Sequence, residues 1–404
     1  MKLRSRRGAV WLACVVVCAQ GCSPANVADE AMRRLAGIST PVATFSHPAV
    51  PVAFELFRGA RIYLPVTVSG SPTLALLDSG AGMTVLDAGF AKSAGIEADS
   101  HMAVGGAAGG ASAGVAHHVV VAVGGLHLRD VTVLILDLKT IASQIGHPLQ
   151  VILGREAFDA SVVDVDFADR RVNFVERRAF AAPAGAVATP LKARGGGARS
   201  VPVSVEGRPP IYVGFDLGNG GSLTLDRTYW EEVGLLGDRP SSVTLAGGVG
   251  GVREHRIAEV RRLEFAGATL NAVPVLLAET ADEGATLGAR VLSRFHLWID
   301  YAGDTLFSQA NPRAIDAVFP KDRAGLVATV SVDRLVVTFV APSGPAARAG
   351  LKAGDEILAL NGRKIGPGFA DSPLVEWADA APGTRIELRL QGGREVALSL
   401  ADYF

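Results

Sequence analysis

The chain has 404 residues, which is enough for two or three domains of ordinary size. Lys and Arg together number 39 against 40 Asp and Glu, so the formal net charge is −1 and we exclude nucleic-acid binding as a function. The 47 glycines and the 49% apolar share favour short strands and tight turns over long charged helices. We therefore predict a mostly β protein with more than one domain.

Residues 1–22 have the charge and length of a signal peptide. Four basic residues lie within the first seven positions, and the apolar stretch that follows at 9–19 is too short to span a bilayer. The segment ends in Ala-Gln-Gly-Cys, which resembles the lipobox of bacterial lipoproteins. This resemblance implies lipidation at Cys22 and a periplasmic protein of the cell envelope, lipid-anchored to a bacterial membrane. Ordinary secretion and an uncleaved anchor are the alternatives.

The cysteines fit export. Cys14 and Cys18 lie in the segment that would be removed, which leaves Cys22 alone in the mature chain. A single lipidated thiol forms no internal disulfide and no thiolate metal site, so we expect stability to come from burial. Residues 23–55 are predicted to be a tether.

Two similar motifs each place an aspartate after an apolar strand. Residues 74–82 read LALLDSGAG and residues 213–221 read VGFDLGNGG, so that Asp78 and Asp216 lie 138 residues apart, about one domain length. After each acid we predict a second strand, a helix capped by Asp87 or Asp226, and a glycine that ends the helix. The motif is therefore part of an internal repeat.

Later landmarks extend the repeat. Leu153-Gly154 and Leu287-Gly288 follow their acids at 76 and 72 residues, and similar strand-like segments come next at 162–174 and 297–308. Glycine-rich stretches at 103–115 and 245–256 lie between β-prone flanks, which predicts two flexible hairpins. Their glycines are Gly105, Gly106, Gly109, Gly110, Gly247, Gly248 and Gly250.

The repeat resembles the aspartic peptidase fold, in the retropepsin-like bacterial branch that carries two lobes in one chain. The resemblance covers residues 60–310 and implies lobes at 56–180 and 181–318. It implies that Asp78 and Asp216 are the catalytic pair, and that the glycine hairpins are flaps over an extended peptide. Supporting positions by the same resemblance are Ser79, Gly80, Leu217 and Gly218 beside the acids, with Gly154 and Gly288 packed behind them.

One position departs from the family. Leu217 stands where the family has Thr or Ser, whose hydroxyl bonds across the lobe junction and fixes the acid pair. A leucine cannot donate this hydrogen bond. We therefore expect half of the brace between the lobes to be missing.

The chemistry of two neighbouring carboxylates explains the pattern independently. Two such groups cannot both ionise, so they share a proton, and one accepts a proton from water while the other donates to the substrate carbonyl. This reaction needs no cofactor and no metal.

Other polar residues are weaker candidates. His117 and His118 are adjacent on a predicted strand and point to opposite faces, which argues against a shared metal ion. Asp166 and Asp300 precede turns, and we interpret them as turn and strand-end residues. No histidine is positioned by the pattern to activate Ser79, so a serine nucleophile has little support.

The pattern changes at about residue 321. The segment 336–365 contains PSGPAARAG, KAGDEILALNG and flanking strands, and resembles a PDZ domain, a small α+β fold that we place at 321–404. The resemblance implies peptide binding by strand addition, with a peptide C-terminus held at Gly325, Leu326 and Val327. The alternative is a packing module that binds no free ligand.

The sequence thus predicts an exported aspartic endopeptidase that hydrolyses peptide bonds of extended polypeptide substrates. The competing prediction, favoured by Leu217, is a catalytically degenerate peptide-binding protein or scaffold of the cell envelope.

Overall fold

The computed structural model describes residues 37–106, 109–248, 251–280, 283–369 and 372–404. The predicted signal peptide with Cys22 lies outside these residues. Strands account for 47% and helices for 14% of the structure, which confirms the mostly β fold class. Within the described ranges no helix is long and apolar enough to cross a bilayer.

The first lobe is built around one large sheet. Its strands and helices are β1 Val42–Phe45, β2 Val52–Ala53, β3 Glu55–Phe57, β4 Arg61–Val68, β5 Ser71–Leu77, β6 Val85–Asp87, α1 Ala88–Ser93, β7 Ser100–Gly106, β8 Gly109–Val123, β9 Leu126–Leu136, α2 Lys139–Ile145, β10 Val151–Leu153 and α3 Arg155–Ala160. The sheet order is β1-β9-β6-β10-β5-β4-β8-β7, with β3 added beside β4.

The connection between the lobes and the second lobe follow. Their elements are β11 Val162–Asp166, β12 Arg171–Val175, a 3-10 helix Arg177–Ala179, β13 Val187–Pro190, β14 Lys192–Ala193, a 3-10 turn Gly195–Gly197, β15 Arg199–Val205, β16 Ile211–Asp216, β17 Leu223–Leu225, α4 Arg227–Glu232, β18 Ser242–Gly248, β19 Gly251–Phe265, β20 Ala268–Leu277, β21 Thr286–Gly288, α5 Ala289–Leu292, β22 Phe295–Asp300 and β23 Thr305–Ala310. The sheet order is β14-β15-β16-β21-β17-β20-β19-β18.

The two large sheets have the same connectivity, so the predicted repeat is present in the structure. In the first lobe, β10 runs parallel to β5 and antiparallel to β6. In the second lobe, β21 runs parallel to β16 and antiparallel to β17 in the same way. Each acid motif therefore ends a strand that is held between two neighbours near the centre of its sheet.

Local sequence explains these elements. Strand β5 ends in the buried residues Ala75, Leu76 and Leu77, which pack the interior directly before the first acid. As predicted, Asp87 caps α1, with its carboxylate 2.9 Å from the backbone nitrogen of Gly89, and Asp226 caps α4 at Tyr229.

A third sheet joins the lobes in the order β13-β23-β22-β11-β12-β2. Strand β11 from the first lobe pairs antiparallel with β22 from the second, so that Asp164 lies opposite Trp298. The predicted tether is wrong at its C-terminal end, because Val42–Phe45 pairs with β9 and Val52–Ala53 pairs with β12. Val, Thr and Phe in the first segment and Val in the second are residue types enriched in strands, which suits them to extend the two sheets.

The C-terminal domain is a small sheet with short helices. Its elements are β24 Leu326–Val330, β25 Leu335–Val340, α6 Pro345–Arg348, β26 Glu356–Leu360, β27 Arg363–Lys364, a 3-10 helix Pro373–Asp379, β28 Arg385–Leu390, a 3-10 turn Gln391–Gly393 and β29 Glu395–Ser399. The order β24-β25-β26-β28-β29 leaves β24 at an edge, and a separate apolar core fills the domain.

The C-terminal domain contacts both lobes. Strand β24 packs against α2 of the first lobe, and β18 of the second lobe contacts β24 and β25. At the junction the Lys321 ammonium lies 2.9 Å from a carboxylate oxygen of Glu259. Phe319, two residues earlier, is buried in the core of the lobes.

Candidate active site

The parallel strand pairs place the two acids at matching points. The backbone nitrogen of Asp78 donates to the carbonyl of Leu153 at 3.0 Å. In the second lobe, Asp216 lies opposite Gly288 in the parallel register. Each predicted Leu-Gly pair thus lies directly behind its acid.

The glycines of these pairs are required by close backbone crossings. A Cβ added at Gly154 would lie 2.6 Å from the carbonyl oxygen of Met83, in the loop after Asp78. A Cβ added at Gly288 would lie 2.9 Å from the carbonyl oxygen of Asn219, in the loop after Asp216. Any larger residue would push the acid-bearing loops away from the sheets.

The two acid loops meet face to face across the lobe junction. A Cβ added at Gly80 would lie 2.7 Å from the Cγ atom of Asp216, and one added at Gly218 would lie 2.6 Å from Oδ1 of Asp78. Each acid therefore packs against the glycine that follows the other acid by two residues. This contact brings together the predicted pair, 138 residues apart in the chain.

Backbone groups orient both carboxylates. Oδ1 of Asp78 accepts hydrogen bonds from the nitrogens of Gly80 at 2.8 Å and Ala81 at 3.0 Å. Oδ1 of Asp216 accepts from Gly218 at 2.9 Å and from the next residue, Asn219, at 3.0 Å. The inner oxygen of each acid is fixed by its own loop, which leaves the other oxygen for the partner acid and a ligand.

Burial and mutual repulsion set the protonation of the pair. Burial, together with the neighbouring Asp216 charge, raises the pKa of Asp78 well above the ordinary carboxyl range. Burial also raises the pKa of Asp216, although backbone hydrogen bonds and the hydrogen bond from Asp78 oppose the shift. The pair thus holds a shared proton, and the apparent pKa values belong to the pair as a whole.

A hydroxyl of the first lobe spans the junction beneath the acids. Ser79 Oγ accepts a hydrogen bond from the Leu217 nitrogen at 2.9 Å and donates to the Phe215 carbonyl at 3.2 Å. The Leu217 side chain is fully buried in the apolar core. As the sequence predicts, the side-chain hydroxyl is present on one side of the junction only.

A further hydrogen bond between the lobes comes from a residue that no sequence pattern indicates. The Tyr301 hydroxyl, just after β22, donates to the carbonyl of Ser79 at 2.9 Å. Tyr301 is fully buried and stacks on Phe158, with ring centroids 5.2 Å apart. This tyrosine ties the first acid loop to the second lobe, next to the site of the missing hydroxyl.

The glycine-rich stretches form the two predicted hairpins. In the first, Gly105 pairs with Gly110 and Gly106 with Gly109. In the second, Gly247 pairs with Val252 and Gly248 with Gly251. The predicted flap residue Gly250 lies outside the described residues.

The other polar candidates have structural partners. The His117 ring nitrogen lies 2.8 Å from Asp99, and the His118 ring pairs with a different acid, Asp130. Asp166 accepts hydrogen bonds from the backbone of the following turn, at 2.9 Å from the nitrogen of Ala168. Asp300 likewise accepts from its own turn and pairs with Arg177.

The predicted peptide-binding residues of the C-terminal domain lie at the edge of its sheet, where Gly325 is buried and Leu326 and Val327 are half-buried. Gly325 has a left-handed φ of +70°, and Leu326 and Val327 begin the edge strand β24. The carbonyl of Gly325 accepts from the nitrogen of Ala341 at 2.9 Å, which fixes the loop before the strand.

The comparisons with known proteins agree with this architecture. Residues 64–157 match the family model described as an aspartyl protease, a span that contains Asp78 and Gly154. Residues 336–392 match the family model of the PDZ domain. The chain thus carries an aspartyl protease domain and a C-terminal PDZ domain, and this supports a protease-like function. No curated protein matches the chain.

Proposed function

We propose that the protein is an aspartic endopeptidase that cuts extended polypeptides with Asp78 and Asp216 as a shared-proton pair. The observation that carries the proposal is the reciprocal packing of each carboxylate against the glycine of the opposite acid loop. This geometry is what two carboxylates need to act on one water and one carbonyl.

In the proposed reaction, the ionised carboxylate of the pair is the base and the protonated one is the acid, because burial raises the pKa of both and they share one proton. The base takes a proton from a water as the water oxygen attacks the substrate carbonyl carbon, while the acid gives its proton to the carbonyl oxygen. In the collapse of the tetrahedral diol, the now ionised acid takes a proton from one diol hydroxyl as the carbonyl re-forms. The other acid gives its proton to the amide nitrogen, the C–N bond breaks, and the pair is left with one shared proton as before. No cofactor enters these steps.

The two glycine hairpins are proposed as flaps that close over the bound peptide and exclude water. The PDZ domain is proposed to bind a peptide C-terminus at Gly325, Leu326 and Val327, by adding a strand to β24. Both roles suit substrates that are extended polypeptides.

We also propose that the protein is exported and lipid-anchored through Cys22 in the cell envelope. Cys22→Ala is expected to release the protein from membranes into the soluble fraction. Unchanged membrane retention would instead favour an uncleaved anchor.

The second candidate is a degenerate peptidase that captures peptides without cutting them. The buried Leu217, in place of a hydroxyl that would brace the acids, favours this function. In both candidate functions a peptide binds at the acid pair. They differ in whether the two carboxylates are held tightly enough to react.

A cleavage assay with an unfolded protein substrate, followed over a wide pH range, tests the proposal. Asp78→Asn and Asp216→Asn should each abolish cleavage, and the double variant should lose no more than either single one, since the acids act as a unit. Asp169→Asn, an exposed turn residue, is the matched control. Peptide binding by a wild type that never cuts would establish the second candidate.

A further inference from the structure

We propose that Arg58, Arg61 and Arg290 form a pocket beside the acid pair that binds a carboxylate of the substrate. The enzyme would then prefer peptides with an acidic group close to the bond that is cut. This inference rests on the proposed peptidase function and names its substrate class. The carboxylate is either an Asp or Glu side chain or the C-terminus of the peptide.

Arg61 reaches from the first lobe to the acid loop of the second. It is the first residue of β4, and its guanidinium lies against Gly220, four residues after Asp216. A Cβ added at Gly220 would lie 2.5 Å from Nη1 and 2.6 Å from Cζ of Arg61. The absence of a side chain at Gly220 is therefore what admits the guanidinium next to the second acid.

The three arginine side chains have no hydrogen-bond or ion-pair partner among the described residues, and the Arg58 guanidinium lies over the Phe57 ring at 5.0 Å. The Nε atoms of Arg58 and Arg61 are buried and have no hydrogen-bond partner among the described residues. Among the described residues, the guanidinium groups of Arg58, Arg61 and Arg290 also form no ion pair with any carboxylate. Buried guanidinium donors are normally satisfied, so unused donors beside a catalytic pair indicate a place for an anionic ligand.

The second lobe provides an internal comparison. Arg199 precedes Asp216 by 17 residues, as Arg61 precedes Asp78. Arg199 is also buried. It donates to the carbonyl of Gly197 at 3.1 Å, and its Nε, although it makes no hydrogen bond, lies 3.5 Å from the Asp304 carboxylate. The arginine at this position of the repeat thus has a carbonyl and a carboxylate partner in the second lobe, whereas Arg61 has neither among the described residues.

The surrounding charges limit what the pocket accepts. Burial lowers the pKa of all three guanidinium groups, and the positive charges of neighbouring arginines lower those of Arg58 and Arg61 further. Glu376 and Asp379, on the 3-10 helix of the PDZ domain, act on Arg58 and Arg290 from beyond ion-pair distance. A substrate carboxylate would relieve the repulsion among the arginines, whereas a lysine side chain would add to it.

A carboxylate bound here would both strengthen binding and place the scissile bond. Guanidinium groups bind carboxylates in a fixed, two-pronged geometry, which positions a flexible peptide as well as holding it. Loss of such a charged hydrogen bond typically weakens binding by about 10- to 100-fold.

The first experiment maps cleavage sites in a library of peptides by mass spectrometry. Wild type should enrich Asp, Glu or a free C-terminus within a few residues of the cut. Arg61→Met and, as a second variant, Arg290→Met should lose that enrichment. Arg171→Met is the control, because Arg171 is exposed on the sheet between the lobes. Circular dichroism checks that each variant is folded.

The second experiment measures binding without catalysis. The Asp78→Asn protein is titrated with peptide pairs that differ by Glu against Gln, each with a free or an amidated C-terminus. The Glu peptide should bind about 10- to 100-fold more tightly, and Arg61→Met should remove the difference. If only amidation weakens binding, the recognised carboxylate is the C-terminus.

The outcomes separate the two proposals. Cleavage of acidic and neutral peptides at equal rates, unchanged by Arg61→Met and Arg290→Met, would overturn the pocket and leave the peptidase intact. A wild type that cuts no peptide, yet binds the Glu peptide in an Arg61-dependent way, would overturn the peptidase and support the pocket.

Discussion

The hydroxyl of Ser79 lies 2.9 Å from the backbone nitrogen of Leu217, and this hydrogen bond crosses between the lobes directly beneath the two acids. The second lobe makes no matching side-chain hydrogen bond from Leu217, because this side chain is apolar and packs in the core. The hydroxyl of Tyr301 bonds the carbonyl of Ser79 at 2.9 Å and provides a second link. The brace between the lobes is therefore asymmetric, and Ser79 is part of both links.

Ser79→Ala should destabilise the junction by about 1–3 kcal/mol, because it leaves the buried nitrogen of Leu217 without its acceptor. Cleavage should fall as well, since the acid loops lose their alignment. Denaturant unfolding measures the first effect. Ser93→Ala is the control, because that hydroxyl bonds only within its own helix. Equal stability of the two variants would show that Ser79 does not join the lobes.

Tyr301→Phe should cost about 1 kcal/mol by removing one buried hydrogen bond while the ring keeps its packing on Phe158. Its effect on cleavage should exceed that of Tyr403→Phe, whose hydroxyl bonds Asp322 in the PDZ domain, far along the chain from the acids. Comparable cleavage by both variants would mean that the Tyr301 link does not position the pair.

Asp78→Asn should raise the stability of the protein at neutral pH. Burial raises the pKa of Asp78 above its unfolded value of 3.8, so the folded state binds the proton more tightly. The stability that this proton provides is fully present below the unfolded pKa and is lost as pH rises through the folded pKa. Asparagine does not titrate and avoids that loss.

Thermal unfolding of wild type, Asp78→Asn and Asp169→Asn between pH 3 and 8 checks this prediction. The melting temperature of Asp78→Asn should exceed that of wild type at pH 7, and the difference should shrink toward pH 4. A difference that instead grows on acidification would mean that Asp78 is stabilised as the ionised form.

The sequence predicted the elements that are encoded locally. The capped helices after Asp87 and Asp226 and the Leu-Gly pairs follow from short patterns with fixed spacing. Nothing local predicts Arg61 or Tyr301, because their contacts arise only when the two lobes pack together. The strands at 42–53 were missed because such short segments, four and two residues long, form strands only where another sheet edge is open to pair with them.

Gly247→Ala should impair the second hairpin. A Cβ at this position would lie 2.8 Å from the Cα atom of Val252 on the opposite strand. Gly105→Ala in the first hairpin is the matched control, because a Cβ there meets no atom within 4 Å. If the hairpins are flaps, cleavage by Gly247→Ala should fall roughly 10- to 100-fold through misplacement of the peptide. Equal rates for both variants would exclude a close contact between the second hairpin and the substrate.

Removal of residues 321–404 should leave the two lobes folded while loosening the second hairpin. The core of the lobes is complete at Phe319, whose ring stacks under the Arg294 guanidinium at 3.5 Å. The PDZ domain, however, contacts β18 of that hairpin through β24 and β25, and it has no such contact with β7 of the first hairpin among the element contacts described. Truncation should therefore raise solvent exposure of the second hairpin and leave the first hairpin unchanged.

Hydrogen exchange on the full chain and on a protein ending at Pro320 distinguishes these regions. Exchange at 242–248 should rise on truncation, exchange at 100–106 should stay the same, and the central strands β5 and β16 should remain protected. The first hairpin thus serves as an internal control in the same molecule. An increase at both hairpins together with the central strands would show that the PDZ domain is needed for the fold of the lobes. Unchanged exchange at 242–248 would show that its contact with β18 does not restrain the hairpin.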